Sequence, residues 1–425
     1  MGSNTANPPT RRRSWLLRSR FSRSVTLLVF SYLLLEGFFL VSLIVAKKVR
    51  RISYQPVPTE LTTGQEEVLT AFVESGGVGK YMRQDAKLGW TPVENNSDGM
   101  RDPRTYDPTP PPNVVRIAAY GDSFTFGEDV TQGESWAAQL AAHSANLEVL
   151  NYGVPGYGPD QAYLRYQEHR QAFSPQIVFL GYMTENLART VSVYRPFYYR
   201  ESASIFTKPR FSVKDNKLKL LPNPIATVQD HADFLANDAK VLAKLGEHDY
   251  HYQTAYKPGP FDFLPSVRFC KISGQVLAKR VVQPILRLDG VYNDQSEAYQ
   301  VTAKVFDAHY QEVIADGALP IVVILPENPD HLRSRQGKSR RYQVLLDDLE
   351  NKSCQVIDVL DAFVPVQDQY SLADLTVRNG HYSVLGNEIV ADFLYQELKS
   401  RGLLDPEEVQ LAIRNEQARL KAESP

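Results

Sequence analysis

The sequence predicts an α/β fold: a mostly parallel five-stranded sheet with helices on both faces, a long insertion after the third strand, and one transmembrane helix ahead of the sheet. Short apolar segments alternate with helical segments from residue 114 onward, which is typical of a parallel sheet covered on both faces. Some 140 residues separate the third apolar segment from the fourth. A single apolar stretch of membrane-spanning length lies near the N-terminus.

The predicted strands are short apolar runs at residues 114–120, 147–152, 177–181, 321–325 and 356–359. Helical patterns separate most of them, at residues 134–143, 161–173 and 296–316. Because parallel crossovers are right-handed, the carboxyl ends of these strands meet at one edge of the sheet. Ligands bind at that edge in open α/β sheets, so we expect the functional site there.

The insertion at residues 182–320 breaks this alternation. It contains an arginine- and aromatic-rich stretch at 195–200, and a segment at 211–221 in which Asp215-Asn216 is typical of a hairpin turn. Long insertions between core elements often act as lids or binding walls. We expect a lid or a substrate wall here, with a purely structural elaboration as the alternative.

Residues 24–46 form a 23-residue apolar stretch with one charged residue, Glu36, near its middle. That length spans a bilayer as a helix, and no cleavage pattern of a signal peptide follows it. Six arginines precede the stretch and four basic residues follow it, which favours a cytoplasmic N-terminus and an extracytoplasmic sheet domain. Glu36 is either a functional intramembrane carboxyl or, ranked first, a residue without such a function, which means a protonated and tolerated glutamate or a helix–helix contact.

These features divide the chain into five parts. They are a basic cytoplasmic N-terminus (1–23), a single-pass transmembrane helix (24–46), a polar, proline-rich linker of loops (47–113), the sheet domain (114–400) and a charged tail that is helical in part and peripheral (401–425).

Charge and composition exclude several classes of function. Residues 1–51 hold ten of the 47 Lys and Arg but one of the 49 Asp and Glu, which leaves the remainder with a net charge of −11. An acidic domain argues against nucleic-acid binding.

Two cysteines, Cys270 and Cys354, allow at most one disulfide, and the pair His248 and His251 has no further ligands in its pattern, so we expect no metal. Glycine spacings match neither a dinucleotide fingerprint nor a phosphate loop, so we expect no cofactor.

The tripeptide Gly121-Asp122-Ser123 follows the first predicted strand and precedes a helix start. This position puts the Ser123 hydroxyl at the ligand-binding edge and near free helix N–H groups, which an activated serine nucleophile needs. A turn in which Asp122 or Ser123 merely caps a helix has the same sequence. The tripeptide alone leaves both interpretations open.

Three further segments fall at strand ends or just before a helix. Gly153 follows the second strand, Asn186 follows the third, and His381 precedes the last core helix. Together with Ser123 they supply a hydroxyl, a backbone N–H, a side-chain amide and an imidazole. Acyl transfer needs these groups as nucleophile, oxyanion hole and general base.

With these four segments, residues 114–400 resemble the SGNH, or GDSL-type, hydrolase family. The resemblance implies a three-layer flavodoxin-like sandwich. It implies Ser123 as nucleophile and His381 as base, with oxyanion donors on Ser123, Gly153 and Asn186.

The family normally places an aspartate two or three residues before the catalytic histidine, where this chain has Asn379 and Arg378. Three interpretations stay open: a Ser–His pair oriented by Asn379 or a backbone carbonyl, recruitment of Asp374, or a weakened or inactive hydrolase. We rank a working enzyme first, because the other three segments are present.

The resemblance implies a membrane-anchored esterase that acts on small acyl esters or on an acylated polysaccharide. The alternatives are an O-acyltransferase of the same family and a non-catalytic scaffold that binds glycan or lipid.

Overall fold

The computed structural model describes residues 11–50, 52–170, 172–278, 284–287 and 289–423. By its internal contacts the chain divides into two compact units. We call Met1–Val57 with Thr254–Val282 the N-terminal unit, and Pro58–Gln253 with Gln283–Pro425 the sheet unit.

The helices and strands follow one another along the described chain in this order: α1 (Arg11–Arg50), α2 (Thr63–Glu74), β1 (Met82–Asp85), β2 (Gly89–Pro92), β3 (Val115–Tyr120), α3 (Ser123–Phe126), α4 (Trp136–Ala142), β4 (Leu147–Asn151), α5 (Pro159–His169), β5 (Ile177–Met183), α6 (Asn186–Arg189), β6 (Arg210–Lys214), β7 (Lys217–Leu221), α7 (Val228–Ala236), α8 (Asp238–Gly246), α9 (Tyr250–Thr254), α10 (Pro265–Ala278), α11 (Glu297–Ala315), β8 (Leu319–Leu325), α12 (Asn328–Arg335), α13 (Gln343–Asn351), β9 (Val356–Asp358), α14 (Leu360–Phe363), α15 (Leu372–Leu375), α16 (Val384–Ser400) and α17 (Pro406–Glu423).

The N-terminal unit contains α1 and α10. Within α1, Ser22–Val49 is long and apolar enough to cross a membrane, judged by length and composition. Apolar side chains along it are exposed, Leu28 by 70% and Phe38 by 64%. A signal sequence passes the same test.

The sheet unit is built on five strands in the order β4-β3-β5-β8-β9, and each neighbouring pair is parallel. Renumbered within the sheet, this is the order 2-1-3-4-5 of flavodoxin-like folds. One face of the sheet packs under α4, α16 and α17, and the other under α5, α11 and α13. The predicted three-layer α/β sandwich is confirmed, with its five predicted strands and its insertion after the third.

Strand alternation decides what each face buries. On β3, Ile117 and Ala119 belong to one apolar cluster while Ala118 and Tyr120 belong to the other. Residues of a strand alternate between faces, and a sheet covered on both sides needs apolar residues at nearly every position. Within β3 the charged residue is Arg116, which is fully buried and donates to Glu148 of the neighbouring strand β4 at 2.6 Å.

Two segments contain more structure than their composition indicates. Residues 52–113, expected to form loops, contain α2 and the antiparallel pair β1–β2. Helix α2 begins with a capping box on Thr62 and buries Leu69 and Phe72. The tail is likewise not peripheral, because Val409 and Ile413 of α17 are buried in the main apolar cluster. Strands β1 and β2 are short and α17, with 18 residues, is mostly polar, so their periodicity is weak in the sequence.

The insertion contains the predicted hairpin. Strands β6 and β7 pair antiparallel, and Asp215 and Asn216 turn between them with φ of 51° and 60°. Both cysteines are free thiols.

Candidate active site

The turn after β3 presents Ser123. Asp122 is the N-cap of α3 and accepts the Phe124 N–H at 2.8 Å, and Gly127 ends the turn in the left-handed conformation. The first N–H groups of a helix lack intrahelical partners, and the N–H of Ser123 is one of them. The N-cap and the nucleophile interpretations of the tripeptide are therefore compatible, because Asp122 caps while Ser123 faces the site.

Three glycines at strand ends make room for this turn. A Cβ on Gly121 or on Gly181 would meet Thr125 Oγ1 at 2.1 Å, and one on Gly153 would meet the Phe126 nitrogen at 2.3 Å. Such distances are far below van der Waals contact, so larger residues would displace the turn. Gly153 was expected because a residue without a Cβ lets its N–H reach a ligand. The structure gives a second reason, since Gly153 packs closely against the turn at Phe126.

His381 lies beside Ser123. Its Nε2 is 3.0 Å from Ser123 Oγ, and the ring packs edge-on against Phe124 with 5.3 Å between ring centroids. The loop that carries His381 is closed by the Val377 N–H donating to the His381 carbonyl at 2.9 Å. The next residue, Tyr382, donates its hydroxyl to the Pro326 carbonyl at 2.8 Å, which ties the loop to the end of β8.

The acid next to the imidazole is Asp129. Its Oδ2 lies 2.6 Å from His381 Nδ1, on the opposite side of the ring from Ser123. Asp129 has a φ of 71°, a left-handed conformation that aspartate tolerates better than most residues. Of the two candidates weighed from the sequence, Asn379 donates to Asp129 at 3.3 Å, and Asp374 accepts from Ser371 at its own helix start. Neither occupies the place next to Nδ1 that the hypotheses gave it.

Sequence reasoning missed Asp129 because it considered only the few residues directly before His381, whereas Asp129 lies 252 residues earlier in the chain. The one signal was the pair Glu128-Asp129, which comes directly after the nucleophile turn. Glu128 Oε2 is 3.5 Å from His381 Nε2, and removal from water raises the pKa of this carboxyl. The His381 ring thus has one carboxylate next to Nδ1 and a second near Nε2.

Asn186 and Gly153, two of the predicted oxyanion donors, differ in how free they are to bind a ligand. Asn186, buried at the start of α6, donates its Nδ2 to Asp122 Oδ2 at 2.5 Å, which fixes the amide and leaves it a second hydrogen. Burial raises the pKa of Asp122, opposed by the Arg189 charge and the Asn186 bond. The N–H of Gly153 donates to Asn151 Oδ1 at 3.0 Å, so its predicted role needs that bond to be shared or broken.

Ser123, His381 and Asn379 line one cavity of about 930 Å³. Its walls come from two regions that are distant in sequence: Trp90 belongs to the segment expected to be a linker, while Arg195 and Tyr199 belong to the insertion. The insertion therefore supplies part of the cavity wall.

The Arg195 side chain in this wall is only partly paired. Its guanidinium lies over the Tyr199 ring at 5.5 Å, and its Nε is buried without a hydrogen-bond partner among the described residues. The cavity wall therefore holds a guanidinium with one unsatisfied buried donor, which is costly for the folded protein.

No protein-family model and no curated protein matches the chain. Solved structures that resemble it include a lipolytic protein of the G-D-S-L family from Desulfitobacterium hafniense DCB-2, with 14% identity, a TM-score of 0.34, and coverage of 66% of this chain and 98% of that one. A catalytic variant of an acetylxylan esterase from Geobacillus stearothermophilus has 12% identity and a TM-score of 0.36, covering 67% and 94%. The acetyl xylan esterase AlAXEase has 10% identity and a TM-score of 0.36, covering 67% and 100%.

Asp129, His381 and Ser123 form a continuous hydrogen-bonded series at the carboxyl edge of the sheet.

Proposed function

We propose that this protein is a membrane-anchored serine hydrolase that cleaves ester bonds. The observation that carries the proposal is the hydrogen-bonded series Asp129–His381–Ser123, with 2.6 Å and 3.0 Å between the bonded atoms. A carboxylate on one ring nitrogen and a serine hydroxyl on the other is the arrangement that nucleophilic catalysis by serine requires.

In the first half-reaction, Ser123 Oγ attacks the ester carbonyl carbon while its proton passes to His381 Nε2. Asp129 keeps the proton on Nδ1 and stabilises the imidazolium that forms. Collapse of the tetrahedral intermediate breaks the bond to the alcohol oxygen, which leaves with the proton from Nε2 and produces an acyl-serine.

In the second half-reaction, water gives a proton to Nε2 and attacks the acyl carbon. The bond to Ser123 Oγ breaks, Oγ recovers the proton, and the acid is released. Transfer to a sugar hydroxyl follows the same steps with the hydroxyl in place of water, so the O-acyltransferase alternative differs only in the acceptor.

The oxyanion is assigned to the Ser123 N–H and the Asn186 amide, with Gly153 as a third donor. Preorganised donors cost no reorganisation during the reaction, and removal of one typically lowers kcat about 10²–10³-fold. The hydrogen bond from Asn186 to Asp122 supports the role assigned to the Asn186 amide, because it holds that amide in position before the substrate binds.

The substrate we propose is an acyl ester on a sugar or a polysaccharide. Exposed aromatic faces in the cavity wall, such as Tyr199 at 48% exposed, suit the apolar face of a sugar ring. The scaffold alternative rested on a missing acid, and Asp129 removes that reason for it.

We assign α1 as the anchor, with a cytoplasmic N-terminus and an extracytoplasmic sheet unit. The support is its apolar length and the larger number of basic residues before residues 24–46 than after them.

The test is labelling of the full-length protein in detergent with a fluorophosphonate, followed by peptide mass spectrometry. We expect a label on Ser123 that is lost in Ser123→Ala and His381→Ala, with turnover of 4-nitrophenyl acetate lost in parallel. Asp374→Asn serves as the matched control, because this carboxylate lies on a different turn. A folded protein that takes no label at Ser123 would overturn the proposal. Adding an oligosaccharide acceptor then separates release of acetate from formation of an acetylated sugar.

A further inference from the structure

Glu36, the one charged residue within the apolar stretch 24–46, has a specific partner. Its carboxylate accepts the Ser266 N–H at 2.9 Å and the Ser266 hydroxyl at 2.5 Å. Ser266 is the second residue of α10, where a helix leaves its N–H groups without intrahelical partners. The carboxylate and the helix start therefore satisfy each other, which matters most where no water is present.

Helix α10 runs alongside α1 in the same direction. One turn beyond the Glu36–Ser266 contact, the rings of Phe39 and Phe269 pack with 5.0 Å between their centroids. Glu36 lies near the middle of the apolar stretch, about 15–18 Å from either end at 1.5 Å per residue. If that stretch spans the bilayer, as proposed above, α10 begins at mid-membrane depth.

The chain that leads into α10 starts near the end of α1. The Val57 N–H donates to the Tyr256 carbonyl at 2.9 Å, and the Tyr54 and Tyr256 rings lie 5.0 Å apart. Tyr54 donates its hydroxyl to Asp262, which is also paired with Lys271 at 2.5 Å. Residues 256–266 thus run from beside Val57 to beside Glu36, and α10 returns along α1.

Three charged side chains of this segment, Asp262, Arg268 and Lys271, have polar partners within the N-terminal unit. Asp262 accepts Lys271, Tyr54 and the Gly259 N–H, and Arg268 donates to the Asp262 carbonyl. The outer surface is apolar by contrast: Phe261 is 62% exposed, Phe263 67% and Leu277 60%. Paired charges with outward apolar side chains are what a lipid-exposed segment requires.

We propose that residues 254–278 form a re-entrant membrane hairpin that lies against α1, with Phe261, Phe263 and Leu277 in contact with lipid acyl chains. The inference rests on the proposed membrane span and is independent of the esterase activity. It gives the insertion two roles, since residues 195–206 line the cavity while residues 254–278 hold the chain in the bilayer.

The test places the full-length protein in phospholipid nanodiscs. In a Cys270→Ser, Cys354→Ser background, a bimane label is attached at Phe263→Cys, Leu34→Cys or Leu220→Cys, and quenching by acyl-chain doxyl lipids is measured. We expect strong quenching at positions 34 and 263 and none at the exposed Leu220 of β7. Quenching of the label at position 34 but not at position 263 would overturn the proposed hairpin and leave α1 as a membrane anchor. Absence of quenching at position 34 would overturn both the hairpin and the membrane anchor.

A second measurement tests the Glu36 contact itself. Hydrogen exchange of the α10 amides is compared between the wild type, Glu36→Gln and Glu36→Ala in the same nanodiscs. Loss of the charged acceptor at the start of α10 should speed exchange of the first α10 amides about 10-fold in the Glu36→Ala variant. The exchange rate of the Glu36→Gln variant should lie between those of the wild type and the alanine variant. Equal exchange in all three proteins would contradict the proposal.

Discussion

Replacement of Asp129 by asparagine tests the catalytic reasoning most directly. Asparagine has the same shape and tolerates the left-handed φ of 71°, so the loop should keep its conformation. The change removes the negative charge 2.6 Å from His381 Nδ1 and leaves a group that can still touch the ring.

The magnitude follows from the exposure of the site. In a fully buried serine triad, the acid-to-amide change lowers kcat about 10⁴-fold. The Asp129 side chain is 31% exposed, so water screens part of its charge. We expect a loss of about 10²–10³-fold in kcat, or about 2.7–4 kcal/mol of transition-state stabilisation at 1.36 kcal/mol per tenfold change.

The assay is steady-state hydrolysis of 4-nitrophenyl acetate by the full-length protein, with KM and kcat separated and Tm measured for each variant. The Asp374→Asn control should keep wild-type kcat. An Asp129→Asn protein that folds normally and keeps kcat within threefold of wild type would refute Asp129 as the acid.

Four further predictions follow from single contacts. Asn379→Asp puts a second carboxylate where an amide now donates to Asp129 at 3.3 Å, so repulsion should lower kcat/KM about 2- to 5-fold; a rise would mean that the site lacks an effective acid. Arg195→Gln removes a guanidinium from the cavity wall and should raise KM for an acetylated sugar about 10-fold, measured with KM and kcat separated; an unchanged KM would contradict a role of this wall in substrate binding. Gly121→Ala should cost about 1–3 kcal/mol in denaturant unfolding, because its Cβ meets Thr125 Oγ1 at 2.1 Å; a wild-type midpoint would contradict the packing argument. Burial raises the pKa of Asp358 from 3.8 to about 6, so the folded state binds the proton more tightly than the unfolded state. This group therefore stabilises the fold below pH 4 and loses that contribution, at most about 3 kcal/mol, as the pH rises to 6; Asp358→Asn should flatten that part of the stability profile, and an unchanged slope would count against it.

The sequence by itself determined the sheet and the edge that carries the site. Apolar runs bounded by helical periods predicted all five strands to within two residues at each end, because burial on both faces leaves an unbroken apolar signal. Chirality of the crossovers then brings Ser123, Asn186 and the His381 loop to one edge without further information.

Only the tertiary structure decided which acid faces His381 and where Glu36 finds its partner. Asp129 and His381 are 252 residues apart in sequence, and their contact depends on how Gly127 and Asp129 turn the chain in left-handed conformations. Glu36 and Ser266 are 230 residues apart. Periodicity and composition report local burial, whereas these contacts depend on the path of loops whose side chains carry no repeating signal.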